Sequence, residues 1–204
     1  MKEHWDRVYR TREPDGVSWF QRHASRSLAL ILETGVSRDA PIIDVGGGAS
    51  TLVDDLLDEA RSNLTVLDIS AAALAATRDR LGERASEVRW MTGDITEIEL
   101  PVRAYDVWHD RAVFHFLTTQ REREAYMRAM LRALGPDGYA IVATFAEDGP
   151  TRCSGLQVKR YSPAGLHAQF GASFALLRHE REAHRTPFGT TQQFIYCLFR
   201  RTAA

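Results

Sequence analysis

Residues 41–51, PIIDVGGGAST, constrain the fold of this chain more than any other stretch. An apolar run ends at Asp44, three consecutive glycines follow, and Ser50 and Thr51 precede a segment with helical apolar spacing. Glycine adopts backbone angles that other residues avoid and lets a ligand approach the main chain. The helix that follows has unpaired N–H groups in its first turn. The stretch therefore predicts a strand, a tight turn and a helix, with a nucleotide-type pocket at the carboxyl edge of a parallel sheet.

The residues around the glycines distinguish between kinds of nucleotide. A dinucleotide site has the pattern G-x-G-x-x-G, and here Thr51 takes the place of its third glycine. No lysine follows, as it does in a phosphate-binding G-x-x-x-x-G-K-[ST] loop. The charge of Asp44, two residues before the first glycine, repels a pyrophosphate and attracts an ammonium. The pattern D-x-G-x-G-x therefore favours S-adenosylmethionine, which carries an ammonium and a sulfonium, over an ordinary strand–helix turn.

Two further acids follow strand-like runs at the spacing of successive βαβ units. Asp68 lies near the end of the run LTVLDI, at the offset expected for an acid that binds a ribose. Asp94 lies in the turn after the next strand-like run, where a carboxylate is placed to accept from the adenine amine. Each acid alone also fits a solvated loop or a helix cap. The three acids as a set, each at the end of a successive strand, predict one ligand site.

Strand-like and helix-like segments alternate along most of the chain, which is typical of a parallel, doubly wound sheet. The last two strand-like segments alternate apolar and polar residues and predict an antiparallel pair. We therefore expect an α/β fold with a mostly parallel seven-stranded sheet and a C-terminal antiparallel strand pair. The predicted strands are 41–45, 64–68, 88–91, 105–108, 139–145, 174–181 and 193–200, and the longer predicted helices are 2–10, 18–33, 50–61, 71–81 and 119–134.

Length, charge and cysteine content limit the class of protein. A chain of 204 residues corresponds to one domain, which we predict over residues 1–204. The net charge of −1, with mixed charges, argues against a nucleic-acid partner. Cys153 and Cys197 lie in separate contexts and predict no disulfide framework. The N-terminus is polar and the apolar runs have strand length, so we expect a cytoplasmic protein without a membrane partner. The sequence does not determine the oligomeric state, and a monomer is compatible with its lack of a long amphipathic excess.

Four motifs in this order resemble those of class I S-adenosylmethionine-dependent methyltransferases. They are DVGGGAST, VLDIS, GDIT and YDVWHDRAVFHFL. The resemblance extends from about Trp5 to the C-terminal strand and implies a Rossmann-like methyltransferase fold. With S-adenosylmethionine as the cofactor, the expected cofactor-binding residues are Asp44, Gly46, Gly47, Gly48, Asp68, Ile69, Asp94, Ile95 and Trp19.

The fourth motif is expected to contain the catalytic residues, because it lies at the carboxyl end of a strand. An [N/D]-P-P-[Y/F] loop, which is typical of base N-methylation, is absent. The stretch W-H-D-R resembles the W-D-R-G stretch of thiopurine and halide methyltransferases, and also the D-K-G-T stretch of some protein-lysine methyltransferases. His109, Asp110 and Arg111 are the candidate catalytic residues, with His109 inserted relative to the pattern. His115 fits a packed helix histidine, and the histidines predict no metal site.

Two other segments are expected to enclose the substrate. The N-terminal segment, residues 1–35, resembles the helical lid of the thiopurine and halide group, with Trp5, Tyr9 and Trp19 as aromatic residues that attract a sulfonium cation. Residues 146–163 form a long connection, and long connections in compact domains are usually functional. The candidate substrate contacts are Tyr9, Arg152, Cys153 and Tyr161.

The nature of the methyl acceptor is left open by the sequence. A small molecule with a thiol or a similar soft nucleophile needs little help from a base, which favours such an acceptor. Protein-lysine methylation is the alternative, with an apolar slot around Phe114 and Phe116 to guide a lysine side chain. A third possibility is a binding module that keeps the cofactor and has lost catalysis, since acids and glycines indicate binding rather than turnover.

Overall fold

The apolar runs predicted as strands form one seven-stranded sheet in the computed structural model, which describes residues 1–202. The order across the sheet is β3-β2-β1-β4-β5-β9-β8, with β1 to β5 parallel and β9 antiparallel to both of its neighbours. The predicted fold class is thereby confirmed. The strands are β1 (Ile42–Val45), β2 (Leu64–Asp68), β3 (Val88–Thr92), β4 (Tyr105–Arg111), β5 (Leu134–Phe145), β8 (Phe174–Arg185) and β9 (Thr191–Arg201).

Helices cover both faces of the sheet, and side-chain caps fix the start of several of them. Ser70 accepts a hydrogen bond from Ala73 N, and Thr119 forms a capping box with Glu122. None of the described helices is both long enough and apolar enough to cross a membrane. The helices are α1 (Lys2–Thr11), α2 (Ser25–Glu33), α3 (Leu52–Asp58), α4 (Ala71–Leu81), α5 (Gln120–Ala133) and α6 (Pro163–Phe170).

The helix predicted at 18–33 is shorter in the structure and begins at Ser25. The Asp55 carboxylate of α3 accepts a hydrogen bond from Ala24 N at 2.7 Å, which fixes the chain immediately before the first turn. Residues 17–24 instead form a turn-rich segment over the sheet edge. This segment closes one side of the site described below.

The long connection predicted at 146–163 contains a hairpin that the sequence analysis did not predict. Its two short strands, β6 (Arg152–Cys153) and β7 (Leu156–Gln157), pair only with each other. His4 of α1 contacts Ser154 at the hairpin turn, with 3.2 Å between Nε2 and Oγ. The hairpin and α1 are therefore neighbours at the carboxyl edge of the sheet.

The register of β1 and β4 determines which side chains meet at the centre of this edge. Asp44 pairs with His109, and Val45 pairs with Asp110. Because side chains alternate between faces along a strand, His109 and Asp110 project to opposite sides of the sheet. The single domain predicted over 1–204 includes residues 203–204, which lie outside the described residues, and stays a prediction, as does the lid role of residues 1–35.

Candidate active site

The glycine turn after β1 brings the main chain against two carboxylates. Gly46 has φ +72, in the region that favours glycine. A Cβ at Gly47 would lie 2.3 Å from Asp44 Oδ2, and a Cβ at Gly48 would lie 2.4 Å from Asp68 Oδ2. The turn therefore requires glycine at these positions because the acids occupy the space of a side chain.

Asp44, at the end of β1, is 4% exposed and has one oxygen without a partner. Its Oδ1 lies 2.7 Å from His109 Nδ1. Its Oδ2 is buried with no hydrogen-bond partner among the described residues. A buried acceptor without a donor is unfavourable, so the site is suited to a ligand that carries a donor, such as an ammonium.

Asp68, at the end of β2, is held by the main chain of two loops. Its Oδ1 accepts from Ser70 N at 2.7 Å, and its Oδ2 accepts from Gly48 N at 3.0 Å. Burial raises the pKa of Asp68 to about 7, against the lowering effect of these two hydrogen bonds. With a pKa near 7, this carboxyl group is only partly ionised at neutral pH. Hydrogen-bond donors such as ribose hydroxyls favour its ionised form.

The third predicted acid, Asp94, lies in the turn after β3. Its Oδ1 accepts from both the backbone N and the Oγ1 of Thr96, at 2.9 and 2.7 Å. Asp94 lines the same cavity as Asp68, as do Ile69 and Ile95. The structure therefore brings the acids of β2 and β3 to one cavity, together with two branched apolar side chains.

Two adjoining cavities follow the carboxyl edge of the sheet. The larger encloses about 760 Å³, including space open to solvent, and extends from Asp68 and Asp94 to α1 and Cys153. The smaller encloses about 490 Å³ and extends from Asp44 and Gly47 to the 17–24 segment. The residues that line both cavities are Tyr9, Trp19, Gly46 and Arg111. The two cavities thus meet at Arg111.

Arg111, at the end of β4, is held in place by three groups. Its Nε donates to Tyr196 Oη at 2.7 Å, and one terminal nitrogen donates to the Trp19 carbonyl at 3.1 Å. Its guanidinium lies over the Phe194 ring, 4.5 Å from the centroid. The other terminal nitrogen is 3.8 Å from Glu182 Oε2, beyond hydrogen-bond distance. Among the described residues that line the two cavities, Arg111 is the only lysine or arginine.

Four aromatic side chains form the wall of the larger cavity opposite the sheet. Trp5 contacts Trp19 and Phe116 edge to face, with centroid distances of 5.6 and 5.2 Å. Trp19 Nε1 donates to Tyr9 Oη at 3.2 Å, and burial raises the pKa of Tyr9. The predicted aromatic residues Trp5, Tyr9 and Trp19 thus form one cluster with Phe116 of the turn after β4, and their role as a cover stays a prediction.

Some of the residues predicted as substrate contacts line one of the two cavities, and others do not. Cys153 lines the larger cavity, and burial raises the pKa of its thiol to about 12. Arg152 is exposed, and its guanidinium bonds to Gly155 O at 3.4 Å. Tyr161 is 5% exposed and packs in the core against Phe114, with centroids 5.7 Å apart. The expectation that Arg152 and Tyr161 contact the substrate is not supported, because neither lines either of these two cavities.

The expectation that Asp110 faces the pocket is wrong. Asp110 is fully buried on the opposite face of β4, where it accepts from Tyr126 Oη at 2.7 Å and from Val113 N at 2.9 Å. Burial raises its pKa to about 6. Trp108 lies on the same face and donates to Tyr126 Oη at 2.8 Å. Asp110 therefore shapes the turn after β4 from inside the core.

The two histidines of the fourth motif are both buried. His109 lines the smaller cavity, and both of its ring nitrogens are in hydrogen bonds, to Asp44 Oδ1 at 2.7 Å and to Ser27 Oγ at 2.8 Å. His115 packs against Phe145 and lines neither cavity. Burial and the charge of Arg111 lower the pKa of His115 to about 3, so it is neutral at physiological pH. The buried position of His115 agrees with the packed histidine considered in the sequence analysis.

Sequence reasoning did not find several residues of this edge. Ser27 lies in the first turn of α2, and Glu182 and Tyr196 lie on β8 and β9. Tyr196 Oη donates to Glu182 Oε2 at 2.8 Å while accepting from Arg111. No motif marks these residues, because tertiary packing positions them: α2 brings Ser27 to His109, and the pairing of β9 with β5 and β8 brings Tyr196 and Glu182 to Arg111.

The residues at this edge fit S-adenosylmethionine. Asp44 offers an oxygen without a partner, the glycines clear the space in front of two acids, and Asp68 and Asp94 border one cavity. Asp44 suits the ammonium, Asp68 the ribose hydroxyls and Asp94 the adenine amine. The fold and the site thus define a methyltransferase.

Comparisons with known proteins agree with this class. Residues 42–138 match the model of a family described as methyltransferase domain. The chain is 24% identical over 157 residues to EEF1A lysine methyltransferase 2 of Danio rerio, which covers 70% of this chain and 67% of that protein. The match covers between 19% and 67% of the length of each curated relative.

Two solved structures share the fold. One concerns the conversion of a disulfide bond into a thioacetal group during echinomycin biosynthesis. It has a TM-score of 0.80 and 19% sequence identity, and the alignment covers 99% of this chain and 92% of that chain. The other is 1,6-didemethyltoxoflavin-N1-methyltransferase of Burkholderia thailandensis, with a TM-score of 0.69 and 20% identity, covering 88% and 78%. With the match over residues 42–138, these similarities identify an S-adenosylmethionine-dependent methyltransferase.

A second family model, described as a first C2H2 zinc finger domain, matches residues 165–185. This segment contains no cysteine, so it lacks two of the four ligands of a C2H2 site. In the structure it spans the end of α6 and the strand β8. It is part of the methyltransferase fold.

Proposed function

We propose that this enzyme transfers the methyl group of S-adenosylmethionine to a small molecule with a soft nucleophile, such as a thiol. The cosubstrate supplies a methyl group on a sulfonium, which leaves as a neutral thioether after transfer. The observation that carries the proposal is the composition of the acceptor side of the cavity. Among the described residues it offers aromatic walls and one cation, Arg111, but no free base.

The absence of a base follows from the environment of each titratable group among the described residues that line the larger cavity. Asp68 and Asp94 lie at the end suited to the adenosine. Tyr9 and Cys153 have raised pKa values because of burial, so both are protonated at neutral pH. A hydroxyl or an ammonium must lose its proton to become nucleophilic, and no group here is placed to take it. A thiol with a pKa near neutrality needs no such group.

Arg111 supplies the second argument, because it favours an anion at the junction of the two cavities. Its charge acts to lower the pKa values of Cys153 and Tyr196, although burial outweighs it in both. An acceptor thiol close to Arg111 is subject to the same lowering effect, which increases its thiolate fraction. The resemblance to thiopurine and halide methyltransferases supports the same class of acceptor. The similar solved structure that concerns echinomycin biosynthesis also involves sulfur groups, a disulfide bond and a thioacetal.

Protein-lysine methylation is the second candidate. The described relative from Danio rerio is named a lysine methyltransferase. The cluster of Trp5, Tyr9, Trp19 and Phe116 also attracts cations, since aromatic faces bind ammonium groups. Against it, Arg111 repels a lysine ammonium, and no base removes the proton.

A transfer assay with methyl-labelled S-adenosylmethionine distinguishes the two candidates. The purified protein is incubated in parallel with aromatic thiols, aliphatic thiols and a lysine-rich polypeptide. We expect label in thioether products of at least one thiol class and none in the polypeptide. Label in the polypeptide alone contradicts the proposal, and so does the absence of transfer to every thiol when S-adenosylhomocysteine binding is intact.

A further inference from the structure

His109 was predicted as a catalytic residue, but its surroundings assign it another task. It is 2% exposed, and Ser27, its partner in α2, is 1% exposed. Asp44 and His109 are register partners on β1 and β4, so their side chains lie side by side on the same face of the sheet. The three side chains form a buried chain of hydrogen bonds, Asp44–His109–Ser27, with heavy-atom distances of 2.7 and 2.8 Å.

The protons of this chain follow from what each group can donate. An ionised carboxylate only accepts, so Nδ1 of His109 carries the hydrogen that is directed at Asp44. In a neutral ring the other nitrogen, Nε2, then has the only free lone pair. The Ser27 hydroxyl lies 2.8 Å away and donates to Nε2 in this tautomer. The ring thus has no lone pair left to take a proton from a methyl acceptor.

The consequence for Asp44 is a fixed orientation. Its Oδ1 is occupied by His109, and its Oδ2 lies towards Gly47, where a Cβ would approach it to 2.3 Å. Only Oδ2 is left for a ligand in the smaller cavity. If His109 were apolar, both oxygens would lack a protein donor and the carboxylate would lose the contact that fixes its direction.

The same chain of bonds also anchors one wall of the smaller cavity. Ser27 lies three residues after the end of the 17–24 segment, and Phe20 and Gln21 of that segment line the cavity. The segment is tied to α3 as well, because Thr51 Oγ1 donates to Gln21 O at 3.1 Å. His109 therefore connects Asp44, which lines the smaller cavity, to α2, the helix that follows the 17–24 segment.

We propose that His109 is a positioning residue that aims the free oxygen of Asp44 at the amino-acid end of S-adenosylmethionine. The inference concerns binding of the cosubstrate and holds for any methyl acceptor. A failure of thiol methylation therefore leaves it standing, and its own failure leaves the choice of acceptor open.

The test uses two ligands that share an adenosine and differ at the other end. S-adenosylhomocysteine has the amino-acid end, and 5′-methylthioadenosine lacks it. Calorimetric titration of His109→Leu is expected to show about 10-fold or greater loss of affinity for S-adenosylhomocysteine, since a buried carboxylate loses its donor. The affinity for 5′-methylthioadenosine is expected to change by less than about 2-fold. An equal loss for both ligands, or no loss for either, overturns the proposal.

Two further variants exclude a general effect on folding. In His109→Asn the side-chain amide donates from nearly the position of Nδ1, so affinity for S-adenosylhomocysteine is expected to recover to within about 3-fold of the wild type. An affinity as weak as that of His109→Leu contradicts the role of the donor. His179→Leu, at an exposed histidine of β8, is the matched control and is expected to bind both ligands as the wild type does.

Discussion

The two halves of the site are built from different parts of the chain. The cofactor half consists of strand ends and tight turns: Asp44, Asp68 and Asp94 follow three successive parallel strands. The acceptor half is assembled from α1, the 17–24 segment and the β6–β7 hairpin, with Arg111 at the boundary. The matched family model covers residues 42–138, which include the three acids and leave out α1 and the hairpin. The proposed cosubstrate contacts therefore lie in the region similar to other methyltransferases, whereas most of the proposed acceptor side lies outside it.

The largest expected effect concerns the cofactor half. Asp44→Asn removes the negative charge that faces the smaller cavity, and we expect S-adenosylhomocysteine to bind about 100-fold more weakly, or not at all. Calorimetric titration measures the change. Asp58→Asn, at an exposed acid paired with Arg84, is the control and is expected to bind normally. Wild-type affinity in Asp44→Asn would show that the cosubstrate is not held at this strand end.

Arg111→Gln tests whether the boundary residue serves the acceptor half. We expect kcat/KM for thiols to fall about 100-fold, because a fixed cation beside the nucleophile is lost. Affinity for S-adenosylhomocysteine is expected to stay within about 3-fold of the wild type. Arg200→Gln, at a half-exposed arginine on β9, is the matched control. A loss of S-adenosylhomocysteine affinity as large as the loss of kcat/KM would instead place Arg111 in the cofactor half.

The pH dependence of binding separates two buried acids that lie on opposite sides of the sheet. Asp68 has a pKa of about 7, above its ordinary value of 3.8. Ribose hydroxyls favour its ionised form, so affinity for S-adenosylhomocysteine should rise about 10-fold from pH 6 to pH 8. Asp68→Asn should abolish the slope. Asp110, with a pKa raised to about 6 but no place in either cavity, should leave the slope unchanged when replaced by Asn.

The raised pKa of Asp68 also affects the stability of the unliganded protein, with the opposite sign. An acid whose pKa is higher in the folded state binds its proton more tightly there than in the unfolded chain. Its contribution to the free energy of unfolding is present below the unfolded value and is lost as pH rises through about 7 for Asp68. Ligand affinity and stability of the free protein should therefore change in opposite directions between pH 6 and pH 8, and Asp68→Asn should flatten both curves.

The smallest expected effect concerns the aromatic wall. Trp5→Ala removes one ring of the cluster, and we expect KM for an aromatic thiol to rise about 5-fold with little change in KM for S-adenosylmethionine. Trp5→Phe keeps a ring and should restore most of the affinity. Steady-state kinetics with each substrate varied in turn give both values. Equal changes in the two KM values would show that α1 covers the whole site instead of the acceptor half.

The sequence predictions succeeded better in the cofactor half than in the acceptor half. The acids Asp44, Asp68 and Asp94 were placed from sequence, because each follows an apolar strand and the ends of parallel strands meet at one edge. The same rule predicted the seven-stranded sheet. It failed within β4, where strand alternation turns Asp110 into the core while His109 and Arg111 face the cavities.

The residues of the acceptor half were predicted less well, because their positions depend on contacts that no local sequence pattern shows. Tyr161 and Cys153 come from the same loop, yet one packs in the core and the other lines the cavity. Ser27 reaches His109 across 82 residues of sequence. Arg111 is held by Tyr196 only because β9 returns beside β5. Such side chains are positioned by tertiary packing, which has no short-range signal in the sequence.

The pH dependence of kcat/KM across thiols of different pKa tests the central claim most directly. That claim is that the protein binds both substrates without supplying a base. If it holds, the rate for each thiol should rise with pH around an apparent pKa that follows the thiol's own value from one acceptor to the next. One fixed apparent pKa, the same for every thiol, would reveal a titrating base in the protein and contradict the account.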